Sequence, residues 1–495
     1  MKSRKLMCIT AMTLFTMLAI PVRFAAQDNQ GHKQEHHRYK LIDIGTLGGP
    51  NSYSFNGERL VNGRGVVTGI ADTYIPDPFN PNCFLPECLV ARTFQWKNGV
   101  LTDLGALVDG VSSGPNWINS QGWIAGISEN GMTDNHAVFP PEYDAVVWKN
   151  GQIINLGTFG GNWSYANAIN DAGQVVGFAL NTTPDSFDLG DLCENFPEPT
   201  QMHAFLWQGE ALQDLGTLGT GTDSCALFVN QRGQVAGHSF TNTVVNPVTG
   251  LPTVDPFLWN GKKLVDLGTL GGTLALASSI NNRGEVVGPS NLAGDIYFHP
   301  FLWSKGLLKD LGTFGGNFGS AAFINDAGQA VGFATNTGDQ AQFAFLWEKG
   351  ALTNLGTVDG DPCSFASGIN SRSQIIGTSG SCDFSVARGF VRQNGRMADL
   401  NTLILPGSDL VLSFPAYIDD RGEITGTGVL PNGDVHAFLV IPCGEGDDDC
   451  EGGSVSGATQ SGSSAVSQGR AIPDWFRARV ARKYHLPKPA FGPKN

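Results

Sequence analysis

Apolar residues along this chain come in short runs. Val, Ile, Leu, Phe and Trp fill strand-length stretches that often alternate with small or polar residues, and each run ends in Gly, Asn or Asp. Such a pattern predicts β-strands joined by tight turns, with little helix. The runs also recur in a fixed order. The phrase D-L-G-T-L-G-G or a close variant starts at Asp43, Asp103, Asn155, Asp214, Asp266, Asp310, Asn354 and Asp399. A repeat of about 40–50 residues marks stacked units, none of which buries its apolar face alone.

Within each unit the parts keep their places. After the glycine pair comes a first strand ending in Ile-Asn, as at Ile169-Asn170, Ile280-Asn281 and Ile324-Asn325. An Asn-x-x-Gly turn follows, with its glycine at Gly122, Gly173, Gly233, Gly284, Gly328 or Gly422, because Asn and Gly accept the positive φ of a short hairpin. A second strand such as Gln174–Gly177 comes next. The third carries an aromatic signature, seen in His203–Trp207, Pro256–Trp259 and Ala344–Trp347. A short turn, as at Asn98-Gly99, then leads to a fourth strand that ends at the next D-L-G. Four short strands per repeat predict an all-β, eight-bladed β-propeller. The ends support closure: the repeats begin with a lone fourth strand, Tyr39–Ile44, and finish with a lone third strand, His436–Ile441. Pairing the two would close the ring and remove the exposed sheet edges. The alternative is an open β-solenoid, which needs atypical caps in place of complementary ends. Three positions depart from the pattern: Ser373 for the hairpin glycine in the seventh unit, Asp419 for the Asn in the eighth, and Asn401 for the glycine of D-L-G.

These phrases together resemble the HAF-repeat extracellular proteins, a family of secreted bacterial repeat proteins. His203-Ala204-Phe205 and His436-Ala437-Phe438 match the name-giving triplet, while Asp255-Pro256-Phe257, His299-Pro300-Phe301 and Phe343-Ala344-Phe345 are variants. The resemblance covers about residues 39–442. It implies secretion and a repeat fold, and it brings no catalytic residues.

Export is also expected from the residues themselves. Lys2, Arg4 and Lys5 precede an apolar run from Leu6 to Ile20, and Ala25-Ala26 offers a cleavage site, so residues 1–26 read as a signal peptide. No later stretch is long and apolar enough to cross a bilayer. Residues 27–38 read as a disordered polar leader, 39–442 as the propeller, 443–470 as an acidic cysteine loop with a Gly/Ser-rich linker, and 471–495 as a basic tail. Outside the signal, eight cysteines fall into neighbouring pairs: Cys83 with Cys88, Cys193 with Cys225, Cys363 with Cys382, and Cys443 with Cys450. An even count in an exported chain reads as disulfides, and no Cys-x-x-Cys spacing points to zinc. A formal charge of −14 argues against nucleic acid as a partner.

Repeat length varies in one place. Nearly all the excess lies between the second and third strands of the first four blades, at about Ala71–Val90, Ile127–Tyr143, Phe178–Met202 and His238–Val254. Those connections share one face of a propeller, so that face is expected to bind a ligand. Aromatics near the glycine pairs, Tyr53, Trp117, Trp163 and Phe318, are candidates for stacking on sugars or anchoring a protein. Their alternative is packing between blades. The third-strand tryptophans recur with the repeat and are expected in the core. Asp185, Asp188, Asp191 and Glu194 crowd the third long loop, making calcium possible there, although their spacing fits no EF-hand. No other cofactor is implied. No H-E-x-x-H or G-x-S-x-G phrase occurs, and His203, His299 and His436 recur at one position, which argues for structure over catalysis. In the tail, Ile472-Pro473-Asp474 could open a short helix with Phe476, Val480 and Tyr484 on one stripe. Its Arg477, Arg479, Arg482 and Lys483 could meet an anionic surface or the acidic propeller.

The expected function is therefore a secreted scaffold that binds an extracellular polysaccharide or a surface protein through its long loops. Two alternatives stay open: a propeller hydrolase or lyase acting on carbohydrate, and a structural surface protein.

Overall fold

The computed structural model describes residues 38–54, 59–133, 141–185, 187, 193, 200–444 and 470–487. Antiparallel units of four strands follow one another along the chain. Those at 224–356 are joined by parallel bridges into one sheet, in which one first strand is broken in two, and the unit at 363–399 gains a short fifth strand from Arg470–Ala471. The third unit is typical, with strands Ser164–Ile169, Val175–Pro184, Thr200–Gln208 and Ala211–Gly216 paired in that order. The eighth takes three strands from the end of the repeats, Val411–Ile418, Ile424–Val429 and Val435–Pro442. Its fourth is Tyr39–Asp43, paired in register from Tyr39 opposite Pro442 to Asp43 opposite Phe438. The protein is a β-propeller.

Strand alternation explains how the blades hold together. In His203–Trp207, Phe205 and Trp207 pack with Ala125, Ala145 and Val147 of the second blade, while Ala204 and Leu206 face Phe257 and Trp259 of the fourth. The same division runs round the ring and gives one apolar cluster per blade junction. The junction that closes the ring, between the eighth blade and the first, places Ala437 and Leu439 against Ile44, Val67, Phe94 and Trp96. An open stack would lack that last cluster. Five of the third-strand tryptophans are buried, and Trp303 is partly so.

The repeated phrases prove to be hydrogen-bonding devices. In D-L-G the acidic or amide side chain accepts the N–H two residues on, as in Gly45 to Asp43 at 2.9 Å and Gly157 to Asn155 at 2.7 Å. The third-strand His bonds the same residue of its own blade: His203 to Asp214 at 2.8 Å, His299 to Asp310 at 2.9 Å, His436 to Asp43 at 2.8 Å. Where the His is replaced, its partner position accommodates the change. Asn155 donates to Asp144 in the second blade, and Arg388 faces Asp399 in the seventh. At this pair of positions the fourth blade sets two carboxylates together, Asp255 and Asp266. Asp255 there is pushed well above the usual carboxylate range, by burial first and by Asp266 second.

A second device links the blades. Each Ile-Asn asparagine donates through Nδ2 to the backbone carbonyl of the matching position in the next blade. The chain runs Asn62 to Asn119, Asn119 to Asn170, Asn170 to Asn230, and on through Asn281, Asn325 and Asn370 to Asp419, at 2.9–3.2 Å. The Asp419 side chain has no N–H to give. Arg421 takes over, reaching the Asn62 carbonyl at 3.4 Å and closing the circle. The other departures are accommodated too. Ser373 adopts the glycine-like φ of 60°. Asn401 keeps the turn bond to Asp399 and also exchanges two bonds with the Leu412 backbone.

Candidate functional site

The two faces of the propeller differ. On one lie the asparagine turns and the third-to-fourth turns, all short. On the other, the second-to-third connections divide into two classes. In blades five to eight they span only residues 293–297, 337–341, 381–385 and 430–434. In blades one to four they span 77–88, 134–140, 185–199 and 241–253, and the second strands of the first three, Val67–Pro76, Ile124–Thr133 and Val175–Pro184, are themselves longer. Two disulfides brace this half: Cys83–Cys88 within the first loop, and Cys193–Cys225 from the third loop to the first strand of the fourth blade. Cys363–Cys382 ties the seventh blade on the same face. Cys443 is disulfide-bonded as well, while Cys450 lies outside the described residues.

The four aromatic candidates do not form an open platform. Tyr53 is 2% exposed and Trp163 4%. Trp163 packs on Tyr143 with centroids 5.0 Å apart, and Trp117 joins the clusters at two blade junctions. Phe318 is half-buried between Tyr297 and Phe298. Of the acidic candidates, Asp185 caps its own turn by accepting the Phe187 N–H, and Asp188, Asp191 and Glu194 lie outside the described residues. One described group has metal-binding composition, Cys193, Cys225 and the buried His238, whose Nε2 is 3.5 Å from the Cys193 sulfur. The two sulfurs are spent on each other, so no thiolate is available to a metal while the disulfide stands.

What covers Tyr53 is the tail. Helix α1 (Asp474–Lys483) packs on the loop-rich face against blades one, seven and eight. Trp475 meets Tyr53 edge-on at 5.3 Å and Phe476 stacks on it at 6.3 Å. Phe476 also contacts Phe414 of the eighth blade, and Tyr484, just past the helix, contacts Phe365 of the seventh. Beneath lies an acidic pair. Asp72 is fully buried, its Oδ2 accepts from Asn51 at 3.2 Å, and its Oδ1 has no hydrogen-bond partner. Glu87 accepts from the Tyr53 hydroxyl at 3.4 Å, and its Oε2 likewise has no partner. Burial, then the Glu87 charge, lifts Asp72 to about 7. Burial also raises Glu87 and Tyr53, while the Arg479 guanidinium acts on both in the opposite sense.

Sequence reasoning missed this pair, because neither residue belongs to a repeated phrase. The closest signal was the run of arginines in a tail otherwise attached to an acidic protein.

A last feature concerns exposed apolar side chains. Twelve large hydrophobics are exposed among the described residues. Tyr74, Ile75, Val108, Met132, Val244, Val245, Val248, Ile296, Tyr297 and Val386 all sit on the loop-rich face; Val100 and Leu307 sit at third-to-fourth turns opposite. No helix among the described residues is long and apolar enough to cross a membrane.

Strand pairing and blade-junction packing thus define a β-propeller with one elaborated face. Known structures with this architecture are only remotely similar. The propeller domain of the trilobed protease from Pyrococcus furiosus is 9% identical, with a TM-score of 0.38 over 74% of this chain and 97% of that one. The Dos1 propeller is 11% identical, with a TM-score of 0.39 over 81% and 95%. Dipeptidyl peptidase 4 from Porphyromonas gingivalis is 10% identical, with a TM-score of 0.45 over 80% of this chain and 58% of that one. No protein-family model matches the chain, and no curated protein matches it.

Proposed function

We propose that this protein is an exported binding scaffold that docks on a protein surface through its loop-rich face. The observation that carries the reading is the concentration of exposed apolar side chains there, ten against two. Leaving such residues in water costs about 1.5–3 kcal/mol each relative to burial, so a cluster of them on one face marks a contact surface. Eight of the ten are non-aromatic; the exposed rings are Tyr74 and Tyr297, while Tyr53 and Trp163 are packed away, a balance that favours protein over polysaccharide. The three disulfides that lie wholly within the described residues suit an oxidising compartment, in line with export. The bridged loops also limit the ordering entropy lost on binding.

The test is saturable binding of the labelled full chain to cells of the producing organism. Binding is expected to vanish after protease shaving of the cells and to survive periodate oxidation of surface glycans. Val244→Ser with Val245→Ser should weaken it, whereas Leu307→Ser on the opposite face should not. Periodate-sensitive, protease-resistant binding would replace the proposal with a lectin.

A further inference from the structure

The tail makes specific contacts with the propeller. Arg470–Ala471 adds as a short strand beside Val386–Ala387, and the Ile472 N–H donates to Ser385 O at 3.0 Å. Arg477 then pairs with Asp383 at 3.2 Å, and Phe476 and Val480 are buried in the cluster that Tyr53, Phe365 and Phe414 share. Between the last blade and this segment lies the Gly/Ser-rich stretch 445–469. As an isolated peptide α1 would not persist. Ten residues are too few for a helix in water, and Pro473 at its N-cap supplies no side-chain bond. Its order comes from the seat.

The seat, in turn, offers more than α1 uses. Arg479 reaches the field of Glu87 and Tyr53, but Asp72 Oδ1 and Glu87 Oε2 stay buried without a hydrogen-bond partner. An unpaired buried carboxylate oxygen is costly, and a donor placed against it would be held strongly. The matching chemistry is a helix with two aromatic anchors and guanidinium groups set to reach both acids.

We infer that the seat of α1 is a recognition site for an arginine-bearing, aromatic helix, occupied in cis by the chain's own tail and entered by a partner protein that displaces it. The tail is then a tethered competitor, and Gly/Ser-rich tethers give effective concentrations on the order of millimolar. A partner with better-placed donors exchanges for it. The site involves blades one, seven and eight and stands independently of the loop-tip contacts proposed above.

The experiment uses a fluorescent peptide of residues 470–487 and the full chain with disulfides intact. Three proteins are compared: the natural chain, the double variant Phe476→Ser with Arg479→Ser, whose own helix can no longer hold the seat, and that double variant carrying Glu87→Gln as well. The peptide should bind the double variant saturably with one site. It should bind the natural chain at least about ten-fold more weakly, because the tethered copy competes. Glu87→Gln should weaken binding again, while the thermal midpoint of the propeller stays that of the double variant. Equal binding to the natural chain and the double variant would overturn the inference. So would no binding to a double variant whose propeller unfolds at the natural temperature, or binding indifferent to Glu87→Gln.

Discussion

The asparagine circle makes a demanding prediction, because the eighth blade already contains its own control. In Asn170→Ala, the Asn230 carbonyl loses a buried donor at 3.0 Å, and the Ala172 and Gln174 N–H groups lose an acceptor at 3.1 and 3.0 Å. The Asn230 carbonyl keeps the Gly233 N–H at 3.0 Å, so the loss of its second donor costs about 0.5–1.5 kcal/mol, as does each turn bond, with part restored by water near the exposed Ala172. The expected loss is about 2–4 kcal/mol. Asn170→Asp keeps both turn acceptors but sets an anionic oxygen against the Asn230 carbonyl, so its loss should be at least as large. The eighth blade tolerates Asp419 because Arg421 donates to Asn62 O and pairs with Glu423. The triple change Asn170→Asp, Ala172→Arg, Gln174→Glu copies that arrangement and should recover about 1–2 kcal/mol over Asn170→Asp. Urea unfolding with disulfides intact reads both effects as midpoint shifts at constant slope. If Asn170→Ala leaves the midpoint where it was, or the triple variant is no better than Asn170→Asp, the circle does not bind the blades as described.

Three further outcomes can be checked. Asp255 takes up its proton more readily folded than unfolded, so its share of stability is present at low pH and lost as pH rises from the ordinary carboxylate range through the raised value. Asp266→Asn reproduces the Asp144–Asn155 pair of the second blade and should flatten that fall, visible as a higher thermal midpoint at pH 8 than the natural chain and little change at pH 4. The Asp214 bond raises the His203 imidazole against partial burial, so NMR should place its titration above about 6.5, and Asp214→Asn should bring it down. The His203 share of that stability is present below its ordinary pKa and fades as pH climbs through the raised value, while Asp214, held below the usual carboxylate range, gives up its share as pH falls through its lowered value. Replacing Cys363 and Cys382 by Ser opens a loop with a sequence separation of 19, which should cost about 3 kcal/mol in chemical denaturation and loosen α1, since both sulfurs border its seat.

Much of the architecture was legible because the repeat states it eight times. His203-Ala204-Phe205-Leu206-Trp207 already carries the alternation that sends Phe and Trp to one neighbour and Ala and Leu to the other. The lone strands Tyr39–Ile44 and His436–Ile441 announced the closure that Asp43 and Phe438 complete. The site was less legible, for a physical reason. Tyr53, Trp163 and Phe318 look alike as sequence, all aromatics beside a glycine pair, and only the neighbours that reach them decide exposure. Asp419 read as a lapse in the pattern, because the repair by Arg421 acts across the ring on Asn62, hundreds of residues away in sequence.

Local chemistry by itself thus determined what each repeat becomes: strand length, turn type, inward and outward faces, and the fact of closure, all governed by neighbours within a few residues or by the same phrase repeated. Tertiary structure alone decided what sits on the finished ring. The seat of α1 combines Tyr53, Phe365 and Phe414 from three blades with Phe476 from the tail, and the exposed tips gather from six separate connections. Those groupings arise when the ring brings together segments that share no period. No pattern along the chain encodes them.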